Sequence, residues 1–404
     1  MLIEREAYMK RIRPFIGAGV VKVLTGLRRS GKSVLLELLR RELLRSGVPA
    51  ERIISYNFES LNTASVRTAE SLYAQLQARL EGTQGTAYLF FDEIQEVTNW
   101  ERCVNSCRVD FDCDIFITGS NARLLSGELA TYLAGRYVEF AIYPFSFAEY
   151  LESRRAYMPE ITAEAAFRSY LRAGGMPFFA QFADERTGAE YLQDVYHSVV
   201  LKDVISRNAI RDVDLLQRVI AYMMGNIGRP FSGRSIARYF KNEGRSVAVE
   251  TVLNYVKACC DSYLFCRTDT EAVGKKLLSV NEKYYIADHG IREAVYGNNL
   301  RDIETVLENI VCMELLRRGW HVSVGSVGDR EIDFVATRGG NRFYVQVAYL
   351  LASHETVGRE FGVYDLVRDN YPKYVVSMDE PDMSRNGIKH RNIRDFLLMD
   401  EYDV

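Results

Sequence analysis

Gly26, Gly31, Lys32 and Ser33 stand in the spacing GxxxxGK[ST], within Gly26-Leu27-Arg28-Arg29-Ser30-Gly31-Lys32-Ser33. The two glycines let successive backbone N–H groups curl around phosphate oxygens, and Arg29 and Ser30 complete the curl between them. Lys32 brings a positive charge to the β- and γ-phosphates, and the Ser33 hydroxyl suits Mg²⁺. ATP and Mg²⁺ are therefore the expected ligands. Further along, the apolar run Ala87-Tyr88-Leu89-Phe90-Phe91 ends in Asp92-Glu93. Asp92 is placed to bind the magnesium through water, and Glu93 to polarise the water that attacks the γ-phosphate. An apolar run ending in two acids is often a plain strand end. Its pairing with the loop points to hydrolysis.

These groups need a scaffold. Val20, Val21, Val23 and Leu24 read as a buried strand leading into the loop. Val34, Leu35, Leu36, Leu38, Leu39, Leu43 and Leu44 come next at helical spacing until Gly47 and Pro49 stop the helix. A further strand, Ile115 to Thr118, ends in Gly119-Ser120-Asn121. Asn121 or Ser120 could sense the γ-phosphate there, or simply cap a polar turn; both readings stay open. Leu133-Ala134-Gly135-Arg136 precedes an expected strand from Tyr137 to Ile142. Arg136 is the candidate arginine finger, acting in its own subunit or across a homo-oligomer, with Arg123 second.

Taken together, the chain resembles an AAA+ family: the bacterial and archaeal group of ATP-binding proteins whose ATPase module is followed by a C-terminal domain of unknown function. The likeness is carried by the loop with its paired Arg28 and Arg29, by Asp92-Glu93 and Thr118-Gly119-Ser120-Asn121, and by Leu133 to Arg136. Tyr143-Pro144-Phe145-Ser146-Phe147 and Gly174-Gly175-Met176-Pro177 extend it over nearly the whole chain. The resemblance implies a five-stranded parallel sheet in an α/β ATPase domain, a helical region after it and a cytoplasmic location. It implies no substrate.

The remaining sequence reads as further modules, since 404 residues exceed one compact core. The expected divisions are an AAA+-like P-loop ATPase domain (1–155), a helical lid (156–210), a winged helix-turn-helix (211–300) and an α/β domain (301–404). The lid pattern, Ala163 to about Asn208, bends at Gly174-Gly175-Met176-Pro177. Three amphipathic segments come after it, around Val213–Met224, Ser232–Phe240 and Ser246–Cys260. Expected strands Tyr263–Thr268 and Lys276–Ile286 would complete a winged helix. Between Lys202 and Cys260 there are ten Lys or Arg against five Asp or Glu. That surplus permits DNA binding through Arg229, Arg234, Arg238, Lys241, Arg245 and Lys257, while a winged helix used for packing fits equally.

The last hundred residues, a helix, three strands, a helix and a strand, resemble the PD-(D/E)xK nuclease fold. Asp333 occupies the first acidic position, but Gln346-Val347-Ala348 stands where Glu-x-Lys is needed, so the sequence reads as a scaffold that has lost its ammonium group and its cleavage activity. Glu308, Glu331 and Asp333 could still hold a weak cation. The five histidines have no metal-ligand spacing, so zinc is not expected.

Charge and composition set the outer limits. The formal charge of −3 gives no whole-chain attraction to nucleic acid or membrane. Seven cysteines without regular spacing read as reduced thiols, Met1 to Phe15 holds no signal-peptide core, and no apolar run spans a membrane. The expectation is a cytoplasmic ATPase of unknown substrate, or alternatively a nucleotide-dependent DNA-binding switch with slow turnover.

Overall fold

Five apolar runs become the strands of a parallel sheet: β1 (Val21–Thr25), β2 (Ile53–Asn57), β3 (Ala87–Asp92), β4 (Cys113–Thr118) and β5 (Tyr137–Ala141), in the order β2-β3-β4-β1-β5. The computed structural model describes residues 2–122, 133, 135–182, 184–273 and 282–403. Parallel strands need crossover segments, and these place helices on both faces, so the inner strands β3, β4 and β1 are buried on both sides, while the edge strands β2 and β5 expose Ser55, Asn57 and Glu139. Alternation along the strands divides the core. Val23, Leu89, Phe91 and Ile117 pack on one face with α3 (Ala69–Leu80) and α4 (Trp100–Asp110). Leu24, Phe90, Phe116 and Phe140 pack on the other with α1 (Glu6–Ile12) and α2 (Lys32–Arg45). Phe90 stacks on Phe116 at 4.6 Å between ring centroids. The chain thus adopts the expected α/β P-loop fold with a five-stranded parallel sheet.

Two compact units divide the chain. One comprises Leu2–Tyr143 with Asp261–Tyr263, and the other Pro144–Cys260 with Leu264–Val404. The first therefore ends before 155, because α5 (Phe147–Tyr157) belongs to the second. A reciprocal cap starts α5: Ser146 accepts the Glu149 N–H, and Glu149 accepts the Ser146 N–H.

In the second unit α6 (Ala163–Ala173) stops at the expected bend. Gly174 adopts a φ of +67°, and a Cβ there would lie 2.3 Å from Asp288 Oδ1, so both backbone and space demand glycine. α7 (Glu185–Ser198) runs on into a π-helical turn, Val199–Ser206. Next come α8 (Val213–Gly225), α9 (Gly233–Asn242) and α10 (Val249–Asp261). Strands β6 (Phe265–Ala272) and β7 (Lys283–Ile286) pair antiparallel, while residues 274–281, which include the start of the expected second strand, lie outside the described residues.

The three-helix-and-hairpin order agrees with the sequence, but the hairpin is not a free wing. β6 also pairs parallel with β8 (His321–Val327), so the sheet crosses the division expected at 300. α11 (His289–Val295) and α12 (Ile303–Arg317) precede β8. β9 (Arg330–Arg338), β10 (Asn341–Val347), α13 (His354–Gly362), β11 (Lys373–Ser377), β12 (Ile388–Asn392) and α14 (Ile393–Leu398) come after it. The seven-stranded order is β12-β11-β10-β9-β8-β6-β7. β12 and α14 had no clear signal, because the alternating pattern of Ile388 to Asn392 consists mostly of polar residues.

Candidate nucleotide-binding site

All five strands of the first sheet run the same way, so their C-terminal ends share one edge. Thr25, Asn57, Asp92 and Thr118 lie along it. The loop from Gly26 leaves β1 at this edge and enters α2 at Lys32. Three residues in it take left-handed backbone: Gly26 (φ +137°), Arg29 (φ +65°) and Gly31 (φ +100°). Such alternation turns consecutive N–H groups toward one concavity, the geometry that receives an anion. Gly26 is irreplaceable for a second reason, since a Cβ there would fall 2.2 Å from the Ile142 carbonyl oxygen.

Lys32 is only 4% exposed, and its ammonium donates to the Gly26 and Leu27 carbonyls at 3.0 and 3.1 Å. It lies 3.9 Å from Glu93 Oε1. Loop cation and proposed base thus face one point. Asp92 is gripped from both sides: Thr118 Oγ1 donates to Oδ1 at 2.6 Å, and Asn57 Nδ2 donates to Oδ2 at 3.1 Å. Burial pushes the Asp92 carboxyl above its ordinary range, against hydrogen bonds from Thr118 and Ser33 and the charge of Lys32. Glu93 sits in left-handed backbone (φ +54°), with its N–H given to Thr118 Oγ1 at 2.8 Å and its carboxylate accepting from Gln95 Nε2.

A hydroxyl and a carboxylate in contact, Ser33 and Asp92, fit Mg²⁺, a hard cation that takes few protein oxygens and completes its shell with water and phosphate. No group of three or more His, Cys, Asp or Glu suited to a metal occurs among the described residues.

The structure therefore brings Gly26, Ser30, Gly31, Lys32, Ser33, Asp92 and Glu93 together. Ser120 and Asn121 are buried just past β4, whose end is tied to β1 by the Gly119 N–H on the Leu24 carbonyl at 3.1 Å. Arg29 is exposed on the loop. Arg136 is elsewhere. It precedes β5, and because Val21 pairs with Tyr137 and Thr25 with Ala141, it lies at the opposite edge of the sheet from the loop. Five residues of strand at ~3.3 Å each separate it from the loop's level by roughly 16 Å. Action on its own subunit's phosphates is corrected by that geometry. Arg123 lies outside the described residues.

Sequence reasoning gave no role to four residues. Thr118 ends an expected strand, Asn57 ends β2, for which no strand was expected, and Gln95 stands two residues after Glu93. Arg5 had no signal: its guanidinium reaches Ser30, 25 positions away, which no spacing rule anticipates.

The second expected constellation is also altered. Asp333 on β9 lies beside Gln346 on β10: its N–H donates to Gln346 Oε1 at 3.3 Å, and its carboxylate accepts the Val347 N–H at 2.8 Å. The ammonium group is not lost, as the sequence suggested. Lys283 of β7 supplies one, 3.3 Å from Glu308 and 2.5 Å from Glu331. Burial opposes its charge, but Glu308, Glu331 and Asp333 together hold its pKa above the ordinary lysine value. Burial, with Glu308 beside it, pushes the Asp333 carboxyl well up.

Comparison with protein families agrees with the geometry of the first unit. A family model described as an AAA domain matches residues 19–151, and one for a domain of unknown function, DUF8612, matches residues 164–302. An uncharacterized protein of Haemophilus influenzae is 36% identical over 401 residues, covering 98% of this chain and 99% of its own. One of Methanocaldococcus jannaschii, also uncharacterized, is 27% identical over 380 residues, or 89% of this chain and 82% of its own. Among solved structures, a Walker-type ATPase of Pyrococcus abyssi overlays with a TM-score of 0.49 at 15% identity, covering 72% of this chain and 94% of that one.

Proposed function

The chain belongs to the same family as its Haemophilus influenzae relative, with an AAA domain over residues 19–151, and on that premise we propose that it binds ATP with Mg²⁺ and hydrolyses it. The observation that carries this reading is the convergence of Lys32 and Glu93, 3.9 Å apart, beside a carboxylate held by Thr118 and Asn57. The loop N–H groups and Lys32 bind the β- and γ-phosphates, and Ser33 and Asp92 hold the magnesium, which when bound neutralises charge on the phosphate oxygens. Glu93 takes a proton from water as its oxygen bonds to the γ-phosphorus, and the bond to the β,γ-bridging oxygen breaks, releasing ADP. Asn121 faces the γ-phosphate as a sensor. Arg136, too far from its own loop, acts on the site of a neighbouring copy in a homo-oligomer. Steady-state phosphate release from ATP tests the reading.

A second reading, a DNA-binding switch with slow turnover, is favoured by one surface. Ile236 and Phe240 face the core from α9, and Arg234, Arg238 and Lys241 line the opposite, exposed side without an ion pair among the described residues. Three cations on one helix face suit phosphate oxygens. Adding duplex DNA to the phosphate-release assay separates the readings: stimulation favours a DNA-coupled ATPase, and tight retention of nucleotide favours the switch.

The C-terminal domain serves in this reading as a binding or assembly scaffold with nuclease-like topology. No helix among the described residues is long and apolar enough to cross a membrane, and the seven cysteines are free thiols. A reducing cytoplasm suits them.

A further inference from the structure

Arg5 is 2% exposed, and it occupies left-handed backbone (φ +50°) at the start of α1, an unfavourable position for a residue with a Cβ. Its guanidinium donates to the Ser30 carbonyl at 2.8 Å and to the Tyr143 carbonyl at 2.7 Å. It also lies over the Tyr8 ring, 4.7 Å from the centroid, and the Tyr8 hydroxyl accepts the Tyr143 N–H at 2.9 Å. α1 thus fastens the phosphate loop to the chain leaving β5.

The bond to Ser30 has a consequence for its neighbour. A trans peptide is planar, so the Ser30 carbonyl and the Gly31 N–H belong to one rigid plate and point in opposite directions. Fixing the carbonyl toward Arg5 aims the Gly31 N–H away from Arg5. The Ser30 N–H is already engaged by the Leu27 carbonyl at 3.2 Å, which pins the preceding peptide. Gly31, with φ at +100°, has no Cβ to limit its backbone and so gains from such a restraint.

We propose that Arg5 is a positioning residue of the phosphate loop, holding the Ser30 carbonyl so that the Gly31 N–H faces the bound phosphates. The inference rests on the ATP reading above. It assigns Arg5 to nucleotide affinity and not to the chemical step, because the guanidinium sits behind the loop.

The test uses the full chain with Arg5→Gln and Arg5→Lys, titrated with a fluorescent mant-ATP in the presence of Mg²⁺. Single-turnover hydrolysis of saturating ATP and thermal midpoints are measured alongside. Arg5→Gln should raise the Kd about tenfold, in line with loss of a charge-assisted hydrogen bond. Arg5→Lys, which keeps the charge but reaches only one carbonyl, should fall between. The single-turnover rate should stay within about twofold, the signature of lost binding alone. A folded Arg5→Gln with unchanged Kd would overturn the inference, as would a lost rate with intact affinity. Should Arg5→Gln not fold, the Kd of Arg5→Lys decides in the same way. Absence of mant-ATP binding by the unmodified chain would overturn the ATP reading and this inference with it, whereas equal binding by the unmodified and variant chains removes only the role of Arg5.

Discussion

Thr118 and Asp92 are joined across two adjacent strands by a hydroxyl–carboxylate hydrogen bond of 2.6 Å. The same Thr118 oxygen accepts the Glu93 N–H at 2.8 Å, so one side chain orients both acids of the site. Nothing in β4 alone announces this, since a threonine ending a strand is commonplace.

Thr118→Val keeps the shape of the side chain and removes the bridge. Phosphate release should fall about 10- to 100-fold, the usual effect of losing a residue that orients a metal-binding group. Denaturant unfolding should show a loss of about 1–3 kcal/mol, because Asp92 and the Glu93 N–H stay buried without their partner. Unchanged turnover would remove Thr118 from the site.

Arg136 lies at the sheet edge opposite the loop, so its action requires a second copy. Arg136→Ala should bind ATP normally and turn it over slowly, and Lys32→Ala should do neither. Mixing the two inactive proteins should restore part of the phosphate release, because an intact loop then meets an intact Arg136. No recovery at any ratio would rule out the intersubunit finger.

Glu308 and Glu331 share the ammonium of Lys283, and Asp333 meets a neutral Gln346 where a second anionic ligand would be needed. Linear, supercoiled and single-stranded DNA should therefore remain intact with Mg²⁺ or Mn²⁺, with or without ATP. Asp333→Ala should keep its ATPase rate. Metal-dependent cleavage that disappears in Asp333→Ala would make Asp333 a catalytic ligand.

The loop, the acid pair and four of the five strands were legible because each obeys a local rule: fixed spacing, a strand ending in acids, a short apolar run; β2 was not, and the five-stranded sheet was expected only from the family resemblance. Other relationships were not legible because folding alone sets them. Arg5 meets Ser30, and Lys283 meets Glu308, across separations that carry no periodic signal. Arg136 was read as a finger for its own or a neighbouring subunit, and only strand direction, which places it at the far edge, separates the two. The wing hairpin was recognised as a pair, yet its pairing with β8 depends on a strand some fifty residues later, and so on tertiary context.

The central claim is that Glu93 activates water for attack on ATP held by the loop, and Glu93→Gln isolates it. The amide keeps the size of the side chain and cannot take the proton. Mant-ATP affinity should match that of the unmodified chain, and steady-state phosphate release should fall roughly a hundredfold, the low end of a general base's contribution. Equal rates in the two proteins, with ATP bound by both, would contradict the account.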